Sequence, residues 1–269
     1  MKHHKKPLKY AGSKLKLMPE VLPYYHASGF KDIVEPFAGS AALFFNLAET
    51  GIKAHLNDDS QPLINFYQQL NKDNGALIAQ SKKFQPLHSK PFFEHVKHYD
   101  RFNLYDDAVL AARYLYINKC GYNGMYRVDT KLGYCNISFG TQKKYHVNED
   151  NLRWSAEKLN QATLTHGEFD KTPMLKRFHL IDPPYVDTFT GYTKGKVDDN
   201  FHTRLRDYVD KLDAAGIPFL LTNRHCDFMI ELFNGYHQRK IETNYDVSCK
   251  TSGRGKKYEI FISNIDATA

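Results

Sequence analysis

The stretch Phe178-His179-Leu180-Ile181-Asp182-Pro183-Pro184-Tyr185 constrains this chain more than any other. A short apolar run halts at an acid, two prolines and a tyrosine. Such a run, bounded by breakers, reads as a buried strand. Pro183 and Pro184 have no amide hydrogen to offer a ladder, so the strand ends before them. In open α/β sheets, ligands bind just beyond the carboxyl ends of strands. Asp182 and Tyr185 then stand at the mouth of a site, on a stiffened loop. The plainer alternative is a proline turn that closes a strand beneath a packed tyrosine.

The flanking sequence alternates strand and helix. Lys31 to Glu35 reads as a strand, followed by a small-residue turn and a helix with Leu43, Phe44 and Leu47 facing inward. Small residues after a strand let backbone and ligand approach closely, but one glycine is too few for the dinucleotide fingerprint. A second strand, Ala54-His55-Leu56, runs into Asn57-Asp58-Asp59. An acid at that strand end can accept hydrogen bonds from ribose hydroxyls. Asn57 or Asp59 could instead cap the next helix, where Pro62 suits the first turn and Leu63, Phe66, Tyr67 and Leu70 form one stripe. Upstream, Lys9-Tyr10-Ala11-Gly12-Ser13-Lys14 combines a turn-forming glycine with a cation able to hold a carboxylate or phosphate. A surface turn before a helix carrying Leu15, Met18 and Leu22 is the simpler account of the same residues.

From about 61 to 145 the alternation lapses. A helix over roughly 106–118 places Ala108, Ala111, Ala112 and Leu115 on one face. Asn118 to Arg127 and Lys131 to Tyr134 then mix glycines, aromatics and cations, the pattern of a hairpin with exposed turns rather than core. Such a hairpin can insert aromatics between bases while Arg127 reads a base edge, or can be an ordinary solvated hairpin. Alternation resumes with a helix around Leu152, Ala156 and Leu159, and then the Asp182 strand. A helix with Phe201, Leu205, Tyr208, Val209 and Leu212 on one stripe follows, then the strand Phe219 to Thr222. Late strands near 236–249 and 258–262 flank a basic loop, Lys250 to Lys257.

Composition sets the setting. The chain has 269 residues, 42% of them hydrophobic and 25% charged, as in soluble globular domains. Neither a membrane-spanning run nor the apolar segment of a signal peptide is found, so a cytoplasmic protein is expected. Cys120, Cys135, Cys226 and Cys249 are scattered and expected to be reduced thiols, and the histidines lack paired metal-ligand spacing. A formal charge of +7 and 18 tyrosines suit a polyanionic partner whose bases can be stacked upon.

Taken in order, these segments resemble the Dam family of DNA adenine-N6 methyltransferases across nearly the whole chain. Lys9 to Lys14 looks like its amino-terminal motif and Glu35-Pro36-Phe37-Ala38-Gly39-Ser40 like its methyl-donor loop. Asn118 to Gly140 looks like its DNA-recognition hairpin, and Asp182-Pro183-Pro184-Tyr185 like its catalytic motif. The resemblance implies that Tyr10, Lys14, Glu35, Gly39, Asp58 and Asp182 bind S-adenosylmethionine, with Phe37 and Phe169 lining its adenine. It implies that Lys9, Tyr122, Asn123, Met125 and Arg127 touch double-stranded DNA, with GATC as target; Lys256 and Lys257 are expected on phosphates. Two departures stand out: Ala41 replaces a second glycine common among relatives, and Met125 and Ser138 replace leucine and proline.

The implied fold is a doubly wound, Rossmann-like methyltransferase sheet, with residues 1–60 and 146–269 forming the donor-binding catalytic domain. Residues 61–145 form an inserted, mostly helical recognition domain. The chemistry fits the residue types. The exocyclic amine of adenine is a weak nucleophile because its lone pair is delocalised. The Asp182 carboxylate and the Pro183 carbonyl can each accept one N–H, turning the lone pair toward the methyl and stabilising charge on nitrogen. Tyr185 would stack on the base, which must be flipped out of the duplex. Neither a metal nor a covalent enzyme intermediate is required, and a monomer is expected. Alternatives are a cytosine-N4, RNA or glutamine methyltransferase of this fold, or an inactive DNA-binding relative. Related sites often carry Ser or Asn at the Asp182 position, so the aspartate favours adenine.

Overall fold

The computed structural model describes residues 6–9, 14–99, 105–129, 134–186, 199–244 and 256–267. Its strands are β1 (Ile33–Glu35), β2 (Ala54–Asp58), β3 (Ala162–His166), β4 (Phe178–Ile181), β5 (Phe219–Arg224), β6 (His237–Asn244) and β7 (Lys256–Ser263). They form a seven-stranded sheet of order β3-β2-β1-β4-β5-β7-β6. Parallel pairs join β2 to β3, β1 to β4 and β4 to β5, whereas β7 runs antiparallel to both β5 and β6. This is the expected α/β class. Central parallel strands are covered on both faces and so read as unbroken apolar runs. Every residue of β1, β2 and β4 is buried, while the edge strand β3 is half exposed.

Helices among the described residues are α1 (Met18–Ala27), α2 (Ala42–Leu47), α3 (Gln61–Lys72), α4 (Asn74–Lys83), α5 (Lys90–Val96), α6 (Asp107–Cys120), α7 (Glu149–Leu159), α8 (Asp199–Ala214) and α9 (Asp227–Leu232). By packing, the chain divides into two compact units: residues 1–16 with 38–168, and residues 17–37 with 169–269.

In the first unit the α3 stripe of Leu63, Phe66, Tyr67 and Leu70 is fully buried, and Phe66 meets Tyr114 of α6 at 5.9 Å between ring centroids. Helix α6 is buried almost all round rather than on one face, and its interior includes Arg113. Helices α4 and α5 were not foreseen from periodicity. Each is short and opens on a side-chain cap: Asp73 accepts the Ala76 amide, and Ser89 accepts the Phe92 amide. Gly75 within α4 and Pro91 within α5 mask the pattern. Leu15 lies exposed on a one-turn helix (Lys14–Leu17), ahead of α1 rather than in its apolar stripe.

In the second unit, Leu205, Tyr208, Val209 and Leu212 of α8 pack with Ile181, Phe219, Leu221, Ile260 and Ile262 from the sheet. Among the described residues, the expected hairpin consists of two isolated antiparallel bridges, Gly121 to Phe139 and Val128 to Cys135, rather than strands. Asn118 belongs to α6, and Gly121, Gly124, Cys135 and Ile137 are buried, so this segment is more deeply set than its polarity implied. Lys256 and Lys257 lie on β7, paired with Asn244 and Thr243, not in a loop. Their side chains and the rest of the basic loop fall outside the described residues. Among the described residues no helix is long and apolar enough to cross a membrane.

Candidate active site and nucleic-acid interface

In the first unit, β2 delivers Asp58 to its carboxyl end, buried. Its Oδ2 accepts the Gly39 amide at 2.9 Å and its Oδ1 accepts the Ser60 amide at 3.0 Å. Asp58 therefore fixes the turn that leads into α3, whose N-cap residue Ser60 makes no side-chain cap bond; neither Asn57 nor Asp59 caps the helix. Burial pushes its carboxyl up to about 6; the nearby Asp59 adds to this, and the two amides oppose it. The Gly39 carbonyl accepts from the Tyr67 hydroxyl at 2.9 Å, and the Ala38 amide donates to the Asn57 carbonyl at 2.8 Å. The small-residue turn is thus pinned to the end of β2 and to α3. Gly39 and Ala41 both have φ of 48°, in the left-handed region. Ala41 thus holds the geometry that a glycine adopts freely. Lys14 is buried, and Tyr10 lies outside the described residues.

In the second unit, Glu35 is buried at the end of β1. Phe37 stacks on Phe169 with ring centroids 5.0 Å apart and planes 25° from parallel. At that separation the two rings are in contact, so a third ring fits against the pair and not between its members. Phe201 meets Phe169 edge-on at 5.3 Å, and the Arg204 guanidinium sits 5.3 Å from the Phe169 centroid. Arg204 Nε also donates to Asp170 Oδ2 at 2.8 Å, holding that carboxyl below its ordinary range.

Strand β4 ends as its prolines require. Asp182 is half-buried, Pro183 buried, Pro184 exposed and Tyr185 half-buried. Asp182 Oδ1 accepts the Thr222 hydroxyl at 2.9 Å, and Asn223 Oδ1 accepts the Val186 amide at 3.4 Å. The parallel register opposite Leu221 and Ile181 brings both β5 residues alongside the motif.

The segment expected to recognise DNA belongs to the first unit. Asn118, buried near the end of α6, grips Lys9 from both sides. Its Oδ1 accepts the Lys9 amide at 2.9 Å, and its Nδ2 donates to the Lys9 carbonyl at 2.7 Å and the Gly124 carbonyl at 3.0 Å. Lys119 Nζ donates to the Pro7 carbonyl and Lys6 Nζ to the Ser40 hydroxyl. Burial, together with neighbouring cations, lowers Lys6 and Lys119 to about 8 each. Asn123 and Gly124, with φ of 54° and 66°, make a sharp turn that leaves Tyr122, Asn123 and Met125 exposed.

Arg127 is exposed, and its Nε donates to Asn136 Oδ1 at 3.1 Å. Asn136 Nδ2 in turn donates to Asp129 Oδ2 at 3.0 Å, and the Asn136 amide bonds the Arg127 carbonyl at 3.1 Å. Beneath them the buried Arg113 donates to Tyr126 Oη at 2.7 Å and to the carbonyls of Val96 and Lys97. Sequence reasoning missed Asn118, Arg113, Asn136, Arg204 and Thr222. A lone arginine inside the apolar run of α6 was the available signal for Arg113.

The expected donor residues are divided between the units: Lys14, Gly39 and Asp58 in the first, and Glu35, Phe37, Phe169 and Asp182 in the second. Strand ends that hold a small-residue turn on a buried acid, and Asp-Pro-Pro-Tyr beyond a buried strand, place the chain among α/β methyltransferases. Comparison with known proteins narrows this. The family model for D12 class N6 adenine-specific DNA methyltransferases matches residues 10–247, and the chain belongs to that family. It is 31% identical to the type II methyltransferase M1.LlaDCHI of Lactococcus lactis subsp. cremoris, covering 95% of this chain and 94% of that protein. It is 30% identical to a DNA adenine methylase of Vibrio cholerae, over 97% of this chain and 96% of the relative. Identity is also 30% to the type II methyltransferase M.MjaIII of Methanocaldococcus jannaschii, over 96% and 98% of the two chains. The protein is an adenine-specific DNA methyltransferase.

Proposed function

We propose that this enzyme takes its methyl group from S-adenosylmethionine and places it on N6 of an adenine flipped out of double-stranded DNA, within GATC. One observation carries the proposal: Asp182 stands just past a fully buried parallel strand with its carboxylate tied by Thr222. An acceptor fixed there suits an amine presented end-on.

The residues present fit the donor. Asp58, a buried carboxyl raised to about 6, is stabilised in its charged form by hydroxyl donors such as those of a ribose. The Phe37–Phe169 pair offers an apolar, planar-packing surface for an adenine ring. Lys14 supplies a cation for a carboxylate. When bound, the donor supplies a methyl group already activated on a sulfonium. Asp182 and the Pro183 carbonyl accept the two N–H bonds of the target amine and orient its lone pair. Tyr185 stacks on the flipped base, and Tyr122 fills the space it leaves.

Division of labour follows the helices. Residues 61–145 form the recognition segment, and 1–60 with 146–269 the catalytic part. In packing terms the recognition helices share a core with β2 and β3, since α3 packs on β2, β3 and α7. Arg127 and Lys9 read base edges, Asn123 and Met125 line the groove, and Lys256 and Lys257 meet phosphates.

The test uses unmethylated plasmid, tritiated S-adenosylmethionine and two restriction enzymes that discriminate methylated from unmethylated GATC. Protection from the enzyme that cuts only unmethylated sites is expected, with tritium in N6-methyladenine. Tritium without protection overturns GATC as the target, and absence of tritium overturns the donor.

A further inference from the structure

We propose that Thr222 is a positioning residue for methyl transfer: its hydroxyl sets the orientation of the Asp182 carboxylate that receives the target amine. The inference rests on the role given to Asp182 above and extends it to a residue on another strand.

Strand β5 begins apolar, Phe219-Leu220-Leu221, and turns polar at Thr222-Asn223, yet both polar residues are completely buried, each 0% exposed. Burying a hydroxyl and an amide costs stability unless they are bonded. Here the Thr222 hydroxyl and the Asn223 side-chain oxygen are bonded to the catalytic segment and its surroundings, while Asn223 Nδ2 has no partner among the described residues. Thr222 Oγ1 donates to Asp182 Oδ1 at 2.9 Å. Asn223 Oδ1 takes the Val186 amide at 3.4 Å and the Arg224 amide at 2.8 Å. Strand β5 therefore grips Asp182 and the residue after Tyr185, one contact on each side of the two prolines. Those prolines offer no amide hydrogens of their own to fix the segment.

A threonine hydroxyl has one proton, and this one is directed to a carboxylate oxygen. A bond of that kind favours the ionised acid and fixes the plane of the carboxylate through its side-chain torsion. Both matter for an acceptor, because a small displacement of a group that orients a reacting atom costs rate steeply, about a hundredfold for 1 Å. Thr222 is held from its other side by the antiparallel partner Phe261 on β7, whose side chain is fully buried. The hydroxyl is therefore presented by a rigid strand rather than a loop.

The experiment measures single-turnover rate and the binding constants for donor and for a GATC duplex in Thr222→Val, Thr222→Ser, Thr222→Ala and Asp182→Ala. Thr222→Val keeps the shape and removes the donor; its rate should fall about tenfold or more, while both binding constants stay within about twofold. Thr222→Ser restores the hydroxyl and should recover most of the rate. If Thr222→Val fails to fold, the comparison of Ser with Ala decides the matter, since only the hydroxyl separates them. A wild-type rate for Thr222→Val, or equal losses for Ser and Ala, overturns the proposal. Asp182→Ala separates the two levels of inference. If it keeps its rate, the role of Asp182 itself falls; if it is inactive and Thr222→Val is not impaired, only the role of Thr222 falls.

Discussion

Asp58 ties the end of β2 to the small-residue turn through one bond, its Oδ2 accepting the amide of Gly39 nineteen residues earlier at 2.9 Å. The acid that caps the turn is the same acid assigned to the donor's ribose, so its protonation state governs both. Because its carboxyl is raised to about 6, it is protonated under mildly acidic conditions. Calorimetric affinity for S-adenosylmethionine should fall by about tenfold between pH 7.5 and pH 5, one unit below that value. Asp58→Asn should bind weakly with no such slope. The sign for folding is opposite. The folded value lies above the ordinary 3.8, so this group's contribution is fully present below about pH 4 and lost as pH rises through about 6. An affinity that is flat from pH 5 to 7.5 in the wild type would leave Asp58 as a fastener of the two turns alone.

Ala41 occupies a left-handed conformation, with φ of 48° and ψ of 50°. That geometry costs an L-residue about 1–2 kcal/mol, and a glycine avoids it while giving back about 0.4–1 kcal/mol in unfolded-state entropy. Ala41→Gly should stabilise the protein by about 0.5–1 kcal/mol, read as a rise of about 1–4 °C in Tm. A lower Tm would show that the alanine methyl contributes more in packing than its backbone costs.

On the role proposed for Arg127, losing its guanidinium removes a base reader, so Arg127→Ala should relax preference at one base pair, at a cost of about 1–3 kcal/mol on the cognate site. Asn136→Ala removes the bond to Arg127 Nε and should cause part of the same relaxation. Initial methylation rates on duplexes with each base pair of GATC varied, at two salt concentrations, check both. Equal losses on every duplex would make the segment a backbone clamp and move sequence reading elsewhere.

Gly124 has φ of +66°, and a Cβ added there would stand 2.6 Å from the Lys9 Cβ. Gly124→Ala should displace Lys9 and weaken duplex binding several-fold, with donor affinity unchanged. Unaltered duplex affinity in a folded variant would remove Lys9 from the interface.

What could be read from the sequence followed local pattern. The burial of β4 was legible because an unbroken apolar run meets two prolines, and the stripes of α3 and α8 because helical spacing repeats over three or more turns. Asp58 was legible as the acid ending a strand. Thr222, Asn118 and Arg113 were not, because their partners are set by tertiary packing: Thr222 meets Asp182 forty residues away. The bridged segment misled because its glycines and cations look solvated, while Arg113, Asn118 and Ile137 lie beneath it. Phe37 and Phe169 came only through the family resemblance, since no spacing links two aromatics on different elements.

The grip of Asn118 on Lys9 spans 109 residues. During synthesis at about 5–20 residues per second, Lys9 waits several seconds or more before its anchor is made. Closing so long a loop is entropically unfavourable until the surrounding helices have docked. The segment proposed to read one end of the site is therefore made well before the helix that anchors it, and settles only when that helix is in place. On the role proposed for Lys9, a nascent chain that meets DNA before α6 is complete would carry its cations without their register, and its encounters with duplex would be electrostatic and sequence-blind.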